Sequence, residues 1–196
     1  MPDAKKENQR LFFFFKPPRQ ALVGPGRTVH MPRDTKALDW EVELAAVIGK
    51  TATAVSVESA LSHVAAWSVG LDLSARDLNR APETFYKLDW VAGKAQDTCG
   101  PLGPHLVPAE FVGDPHRLRL QLAVNGETKQ DDTTADMVFD VAEQISILSR
   151  IMTLEPGDVL FTGTPAGVSA LLPGDHVSAE VAGVGRLRVD IAPALD

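Results

Sequence analysis

The sequence predicts an α+β fold that is mostly strand, with two helices, and three observations carry that prediction. Apolar runs of strand length recur along the 196 residues, parted by Pro-Gly, Asn-Gly and Gly-rich turns. Only two stretches repeat apolar residues at helical intervals. With 44% hydrophobic and 23% charged residues, the chain can build one sizeable core, and no internal repeat, low-complexity tract or linker divides it. The organisation expected is a short polar N-terminal arm over residues 1–10 and one domain over residues 11–196.

Taken in order, "LFFFFKPP" from Leu11 to Pro18 reads as a short strand buried on both faces and ended by two prolines, which cannot donate to a ladder. "LVGPGRTVHMP" is a turn-rich connection. The segment from Trp40 to Ile48 is a strand stopped by Gly49. Ser56 can cap a helix running to about Val69, with Ala60, Leu61, Val64, Ala65 and Trp67 as its apolar face and Gly70 as its stop. "LDLSARDLNR" leaves it as a short strand or turn. The Pro- and Gly-rich stretch from Pro101 to Pro115 reads as a loop with short extended pieces. In "LRLQLAVNGETKQ" alternating apolar residues reach Asn125-Gly126, the favoured pair for a type I′ hairpin. Asp140 and Glu143 stand at capping-box spacing before Val141, Ile145, Leu148 and Met152, which repeat at helical intervals. Short strands separated by Pro-Gly and Gly-rich turns complete the chain.

A net charge of −7 argues against nonspecific binding to nucleic acid or to an anionic membrane, and leaves a metal or a small substrate as the expected partner. Cys99 is the sole cysteine, which rules out an intrachain disulfide and suits a reducing compartment. The first ten residues are polar and show no apolar signal region, and the run Leu11 to Phe15 is too short to span a bilayer, so a cytoplasmic location is expected.

Several motifs fail on inspection. "GKT" at Gly49 to Thr51 would need a glycine where Leu44 stands to form a phosphate loop. The histidines at 30, 63, 105, 116 and 176 form no zinc spacing, no G-x-S-x-G elbow exists, and Cys99 has no activating neighbours in sequence, so it reads as a buried structural thiol. What remains is acidic. In "LDWEVELAAVIGK" strand alternation puts Trp40, Val42, Leu44 and Ala46 on one face and Glu41 and Glu43 together on the other. Two adjacent carboxylates repel, and buried without a cation one of them must take up a proton. With Asp72 they suit a hard divalent ion such as Mg²⁺ or Mn²⁺, although spacing alone favours a solvated face. By the same reasoning Lys94 is by default a surface lysine. Thr164 in "TGTPAG" is by default a turn residue, though neighbouring Gly and Thr donors can hold a carboxylate.

In their joint order, "FFKPP", "DWEVELAAVIGK", "LDLSARD", "GKAQDTCGPLGP", "VNGETKQDDTTADMVF", "TLEPGDVLFTGTPAGV" and "PGDHVSAEVAGVGRL" resemble the fumarylacetoacetate hydrolase family, in particular its small bacterial members of aromatic and 2-oxo-acid catabolism. The resemblance spans roughly Phe12 to the C-terminus and implies a mixed β-sandwich roll, usually a homodimer. It implies that Glu41, Glu43 and Asp72 hold Mg²⁺ or Mn²⁺, that Arg76 stands beside the site and that Lys94 stabilises negative charge on the substrate. It also implies that Thr164, with Gly163, contacts the substrate carboxylate. Asn79 falls where many members carry a glutamine, a change that retunes substrate contacts.

The activity so implied is hydrolysis of a C–C bond in an acylpyruvate-like 2,4-dioxo acid through a metal-stabilised enolate. Decarboxylation of an oxaloacetate-type substrate and isomerisation of a 2-hydroxyhepta-2,4-diene-1,7-dioate type share that enolate, so the three ligands alone do not separate these reactions. Many hydrolytic members carry an Asn-Tyr-Ala-Asp-His segment before the "FFKP" stretch, whose histidine activates water. "MPDAKKENQR" has none, and His30 in the following connection reads as a plain loop histidine. Loss of a positioned base hurts hydrolysis most, because the two alternative reactions need no activated water.

Overall fold

The computed structural model describes residues 9–195; most of the expected polar arm therefore lies outside the described residues. Thirteen strands are present among them: β1 (Leu22–Val23), β2 (Thr28–His30), β3 (Leu38–Asp39), β4 (Val42–Ile48), β5 (Val64–Leu71), β6 (Ser74–Ala75), β7 (Gly100–Pro108), β8 (Arg119–Val124), β9 (Glu127–Thr133), β10 (Val159–Phe161), β11 (Ala170–Leu171), β12 (His176–Val181) and β13 (Gly185–Ala192). Four α-helices accompany them: α1 (Pro18–Ala21), α2 (Val57–Ala60), α3 (Trp90–Lys94) and α4 (Val141–Ile151). The strands form three sheets, in the orders β1-β7-β5-β4-β10, β11-β3-β6 and β2-β13-β12-β8-β9. One core joins them, with Leu44, Ile48, Val69 and Leu71 of the first sheet and Leu122, Val177, Ala179 and Leu187 of the third in a single apolar cluster. The mixed, mostly β architecture agrees with the expected fold class.

Local chemistry explains the elements that match expectation. Asn125 and Gly126 both adopt positive φ, 52° and 84°, as the I′ turn between β8 and β9 requires. The Asp140 carboxylate accepts from the Glu143 amide at 2.8 Å and the Glu143 carboxylate accepts from the Asp140 amide at 3.0 Å, closing the capping box of α4.

Three segments differ from expectation. The helix starting after Ser56 ends at Ala60 and tightens into a 3₁₀ turn at Leu61–His63, and Val64–Leu71 is a strand. That eight-residue apolar run fits a buried helix or a buried strand by pattern. Hydrogen-bonded partners on both edges, β4 and β7, decide for the strand. Gly70 is then no helix stop. A Cβ there would lie 2.4 Å from the Phe161 ring, so it is the place where the β5 backbone meets that side chain.

"LFFFFKPP" forms no ladder before α1 begins at Pro18, and Phe12 and Phe15 are exposed. Its chain is held by side chains instead: Phe12 and Phe14 pack on Trp90 with ring centroids 4.7 and 5.7 Å away. Lastly, the stretch expected as a loop from Pro101 contains most of β7, whose prolines are tolerated because β1 covers only Gly100 and Pro101 on that edge.

Candidate metal centre

Antiparallel pairing of β4 with β5 builds the site. Val42 lies opposite Leu71 and Glu43 opposite Gly70, so Glu41 faces Asp72, whose amide donates to the Glu41 carbonyl at 3.0 Å. Trp40, Val42, Leu44 and Ala46 are buried in the core as strand alternation predicts, and the opposite face is buried too. Glu41 is only 6% exposed, and Glu43 and Asp72 each 3%, which overturns the solvated face that spacing alone favoured. One carboxylate oxygen from each of the three lies within 4.8 Å of the others.

Burying three carboxylates together is unfavourable unless cations compensate. Lys94, at the C-terminus of α3, supplies the central one. It is 3% exposed rather than a surface lysine, and its Nζ donates to Glu41 Oε2 at 2.8 Å and Asp72 Oδ2 at 2.7 Å. The Phe14 ring lies 4.6 Å from the same ammonium. Arg76, just beyond β6, donates through Nε to Asp39 Oδ2 at 2.7 Å and through its terminal nitrogen to Glu41 Oε1. Glu43 accepts the Gly163 amide at 2.7 Å, across the loop that follows β10.

The electrostatics follow from this placement. Burial, then the neighbouring Asp72 and Glu41 charges, holds the Glu43 carboxyl well above its usual range, against the pull of the Gly163 amide and Lys94. Burial likewise raises Glu41, although Lys94 opposes it. Burial lowers Lys94, but Asp72 and Glu41 outweigh that effect and raise it overall, so it stays an ammonium. Burial pushes the Cys99 thiol up to about 12, consistent with an inert structural cysteine.

The fold thus brings Glu41, Glu43, Asp72, Arg76, Lys94 and Gly163 into one cluster. Thr164 stands one residue on, and its hydroxyl donates to the Val42 carbonyl at 2.9 Å. Asn79 is packed against α3 instead: it is 4% exposed, its amide atoms have no hydrogen-bond partner, and a Cβ on Gly93 would fall 1.6 Å from its Oδ1. His30 sits in β2, where its Nδ1 is 3.1 Å from the Pro193 carbonyl, and among the described residues no histidine joins the acidic cluster.

Sequence reasoning missed three residues. Lys16 Nζ lies 3.0 Å from Asp72 Oδ1 and donates to the carbonyls of Lys94 at 2.7 Å and Leu73 at 3.1 Å. Its only signal was a charge placed between a phenylalanine run and two prolines. Asp39 pairs with Arg76, and its signal was its position two residues before Glu41. Gln130 is 1% exposed and links β4 to the loop after β10, with no signal beyond its place in the hairpin strand.

The residues fit a hard divalent ion. The donors are all carboxylate oxygens, one from each of three buried residues and all within 4.8 Å of one another. Fold and site together define a β-rich domain built around an acidic, cation-seeking cup. The chain belongs to the fumarylacetoacetate hydrolase family: the family profile described as "Fumarylacetoacetate (FAA) hydrolase C-terminal" matches residues 1–192.

Among curated relatives, the 4-hydroxyphenylacetate degradation bifunctional isomerase/decarboxylase of Salmonella dublin is 42% identical over 182 residues, covering 88% of this chain and 42% of that protein. The mitochondrial oxaloacetate tautomerase of Bos taurus is 41% identical over 172 residues, covering 84% of this chain and 54% of that protein. The chain therefore spans about half the length of these two relatives. Among solved structures, fumarylpyruvate hydrolase from Pseudomonas aeruginosa, in complex with Mn²⁺ and pyruvate, superposes with a TM-score of 0.89 at 37% identity, covering 95% of this chain and 81% of that one.

Proposed function

We propose that this protein is a divalent-metal-dependent hydrolase that cleaves an acylpyruvate-like 2,4-dioxo acid, taking up water and releasing a carboxylate and a 2-oxo acid such as pyruvate. The observation that carries the reading is the set of three buried carboxylates within 4.8 Å of one another, with Lys94 seated on two of them. Glu41, Glu43 and Asp72 would hold Mg²⁺ or Mn²⁺, both of which accept hard oxygen donors. A bound ion would supply Lewis-acid polarisation of the substrate's keto oxygen.

The remaining roles belong to the chain. Lys94 carries a permanent positive charge in a site shielded from water, where it can stabilise negative charge on the substrate as the C–C bond breaks. Arg76 is more open than Lys94 and holds Asp39 and Glu41 in place while offering a cationic edge to an anionic substrate. The loop at Gly163 and Thr164 lies beside the acidic cup; its Gly163 amide is given to Glu43, and the Thr164 amide would serve a substrate carboxylate. Asn79 would act on substrate contacts indirectly, by packing against Gly93 of α3, the helix that carries Lys94.

A second reading, decarboxylation or isomerisation on the same centre, is favoured by two observations. No described histidine joins the cluster, and relatives at 41–42% identity are named for isomerase, decarboxylase and tautomerase activities. A homodimer is the assembly expected for either reading. The deciding experiment supplies Mn²⁺ and compares acetylpyruvate with oxaloacetate, measuring pyruvate release by wild type and Asp72→Ala. Release from acetylpyruvate that disappears in Asp72→Ala supports the hydrolase. Turnover of oxaloacetate alone selects the second reading, and equal rates in the two proteins reject both.

A further inference from the structure

We propose that Gln130 is a positioning residue that fixes the carboxylate-binding loop, Gly163 to Ala166, against the metal-holding strand; this rests on the site assignment made under Proposed function. Gln130 lies in β9, 88 residues from Val42, and uses both ends of its amide. Its Oε1 accepts the Val42 amide at 3.1 Å. Its Nε2 donates to Thr164 Oγ1 at 3.0 Å and to the Pro165 carbonyl at 2.9 Å, with the Ala166 carbonyl at 3.4 Å. The partners fix the amide orientation, because the Val42 amide needs an acceptor and the Pro165 carbonyl needs a donor.

The residue so gripped is the one between the two glutamates. Val42 donates to Gln130 and accepts from the Thr164 hydroxyl, so both peptide groups that join it to Glu41 and Glu43 are held. The loop presses on β9 itself: a Cβ on Gly167, where φ is +98°, would come within 2.4 Å of the Lys129 carbonyl. One buried side chain therefore sets the separation between the carboxylates that seat the ion and the loop that receives the substrate carboxylate. Because the Thr164 hydroxyl proton is already given to the Val42 carbonyl and the Gly163 amide to Glu43, and Pro165 has no N–H, the loop's remaining donors toward a substrate are the Thr164 and Ala166 amides, whose direction depends on how Gln130 holds the turn.

The test compares Mn²⁺ affinity with pyruvate affinity of the Mn²⁺-loaded protein, by calorimetric titration of the full chain. Gln130→Glu keeps the length and the acceptor for Val42 but replaces the donor that faces Thr164 and Pro165. Gln130→Met conserves volume, removes both ends and buries no charge, so it serves should Gln130→Glu fail to fold. The expected result is Mn²⁺ affinity within about threefold of wild type and pyruvate affinity weakened about tenfold or more, the scale of a lost buried hydrogen bond.

Unchanged pyruvate affinity in a folded variant overturns the proposal. Equal weakening toward Mn²⁺ and pyruvate also overturns it, because that pattern marks general damage to β4. A wild type that binds Mn²⁺ but no pyruvate rejects the substrate assignment itself, and this inference with it. Failure of the underlying reading is thus seen in wild type, and failure of the Gln130 role only in the variants.

Discussion

Replacing Lys94 with methionine isolates the electrostatic cost that organises this domain. The ammonium is 3% exposed and contacts two carboxylates at 2.7 and 2.8 Å, so the substitution leaves Glu41 and Asp72 facing Glu43 without their shared cation. Removing one partner of a buried ion pair costs about 3–5 kcal/mol. Lys16 still faces Asp72 and Arg76 still holds Glu41, so the lower end, about 3 kcal/mol, is expected. For a domain of this length that corresponds to a drop of roughly 6–12 °C in Tm. A divalent ion held by Glu41, Glu43 and Asp72 would supply positive charge to the same carboxylates, so saturating Mn²⁺ should raise the Tm of Lys94→Met more than that of wild type. Differential scanning calorimetry of both proteins in EDTA and in Mn²⁺ gives the four midpoints. An EDTA midpoint equal to that of wild type would refute the view that Lys94 compensates the buried carboxylates. Equal Mn²⁺ gains would show that ion and ammonium do not compensate the same carboxylates.

Other substitutions and conditions probe the same framework. Burial raises the Glu43 carboxyl, which favours its protonated form in the fold. The ion-free protein should therefore lose stability as pH climbs from its ordinary value of 4.5 through the raised one. A divalent ion must displace that proton, so Mn²⁺ should bind more tightly at about pH 7.5 than at about pH 5.5, and a flat Kd would contradict this. With its thiol pushed up to about 12, Cys99 should stay unreactive toward a thiol reagent at about pH 8, where roughly one molecule in ten thousand is thiolate, and react promptly once unfolded. Gly70→Ala places a Cβ 2.4 Å from the Phe161 ring and should cost about 1–3 kcal/mol by urea unfolding, whereas a mere helix-stop role would make alanine harmless.

The parts of this fold that could be read from the sequence are those decided locally. The Asn125-Gly126 turn and the Asp140/Glu143 cap depend on neighbours within a few residues, and both stand as expected. Alternation along the expected strand from Trp40 to Ile48, of which Val42–Ile48 is β4, likewise placed Trp40, Val42 and Leu44 in the core with the two glutamates together opposite them. Val64–Leu71 could not be read this way, because its apolar run suits helix or strand equally and the choice was made by β4 and β7. The phenylalanines from Phe12 to Phe15 have strand composition but no sheet edge, so Phe12 and Phe14 pack on Trp90 instead. In the site, spacing revealed a repulsion between Glu41 and Glu43 but not its remedy. The compensating groups are remote in sequence: Lys94 stands 53 residues from Glu41, and the Gly163 amide stands 120 residues from Glu43.

The assembled charges explain why that remedy remains partial. Asp39, Glu41, Glu43 and Asp72 bring four carboxylates, against which Lys16, Arg76 and Lys94 bring three cations. Glu43 is the carboxylate left over. Among the described residues it has a backbone amide for a partner but no direct ion pair, and burial holds its carboxyl well above the usual range. Without an ion, burial and the neighbouring carboxylates therefore favour the protonated form of Glu43, which would balance the cluster. With a divalent ion in place of that proton, the balanced cluster would carry a single positive charge in excess. A monoanionic 2-oxo acid would then neutralise that charge, which gives the ion and the substrate a physical reason to bind in that order.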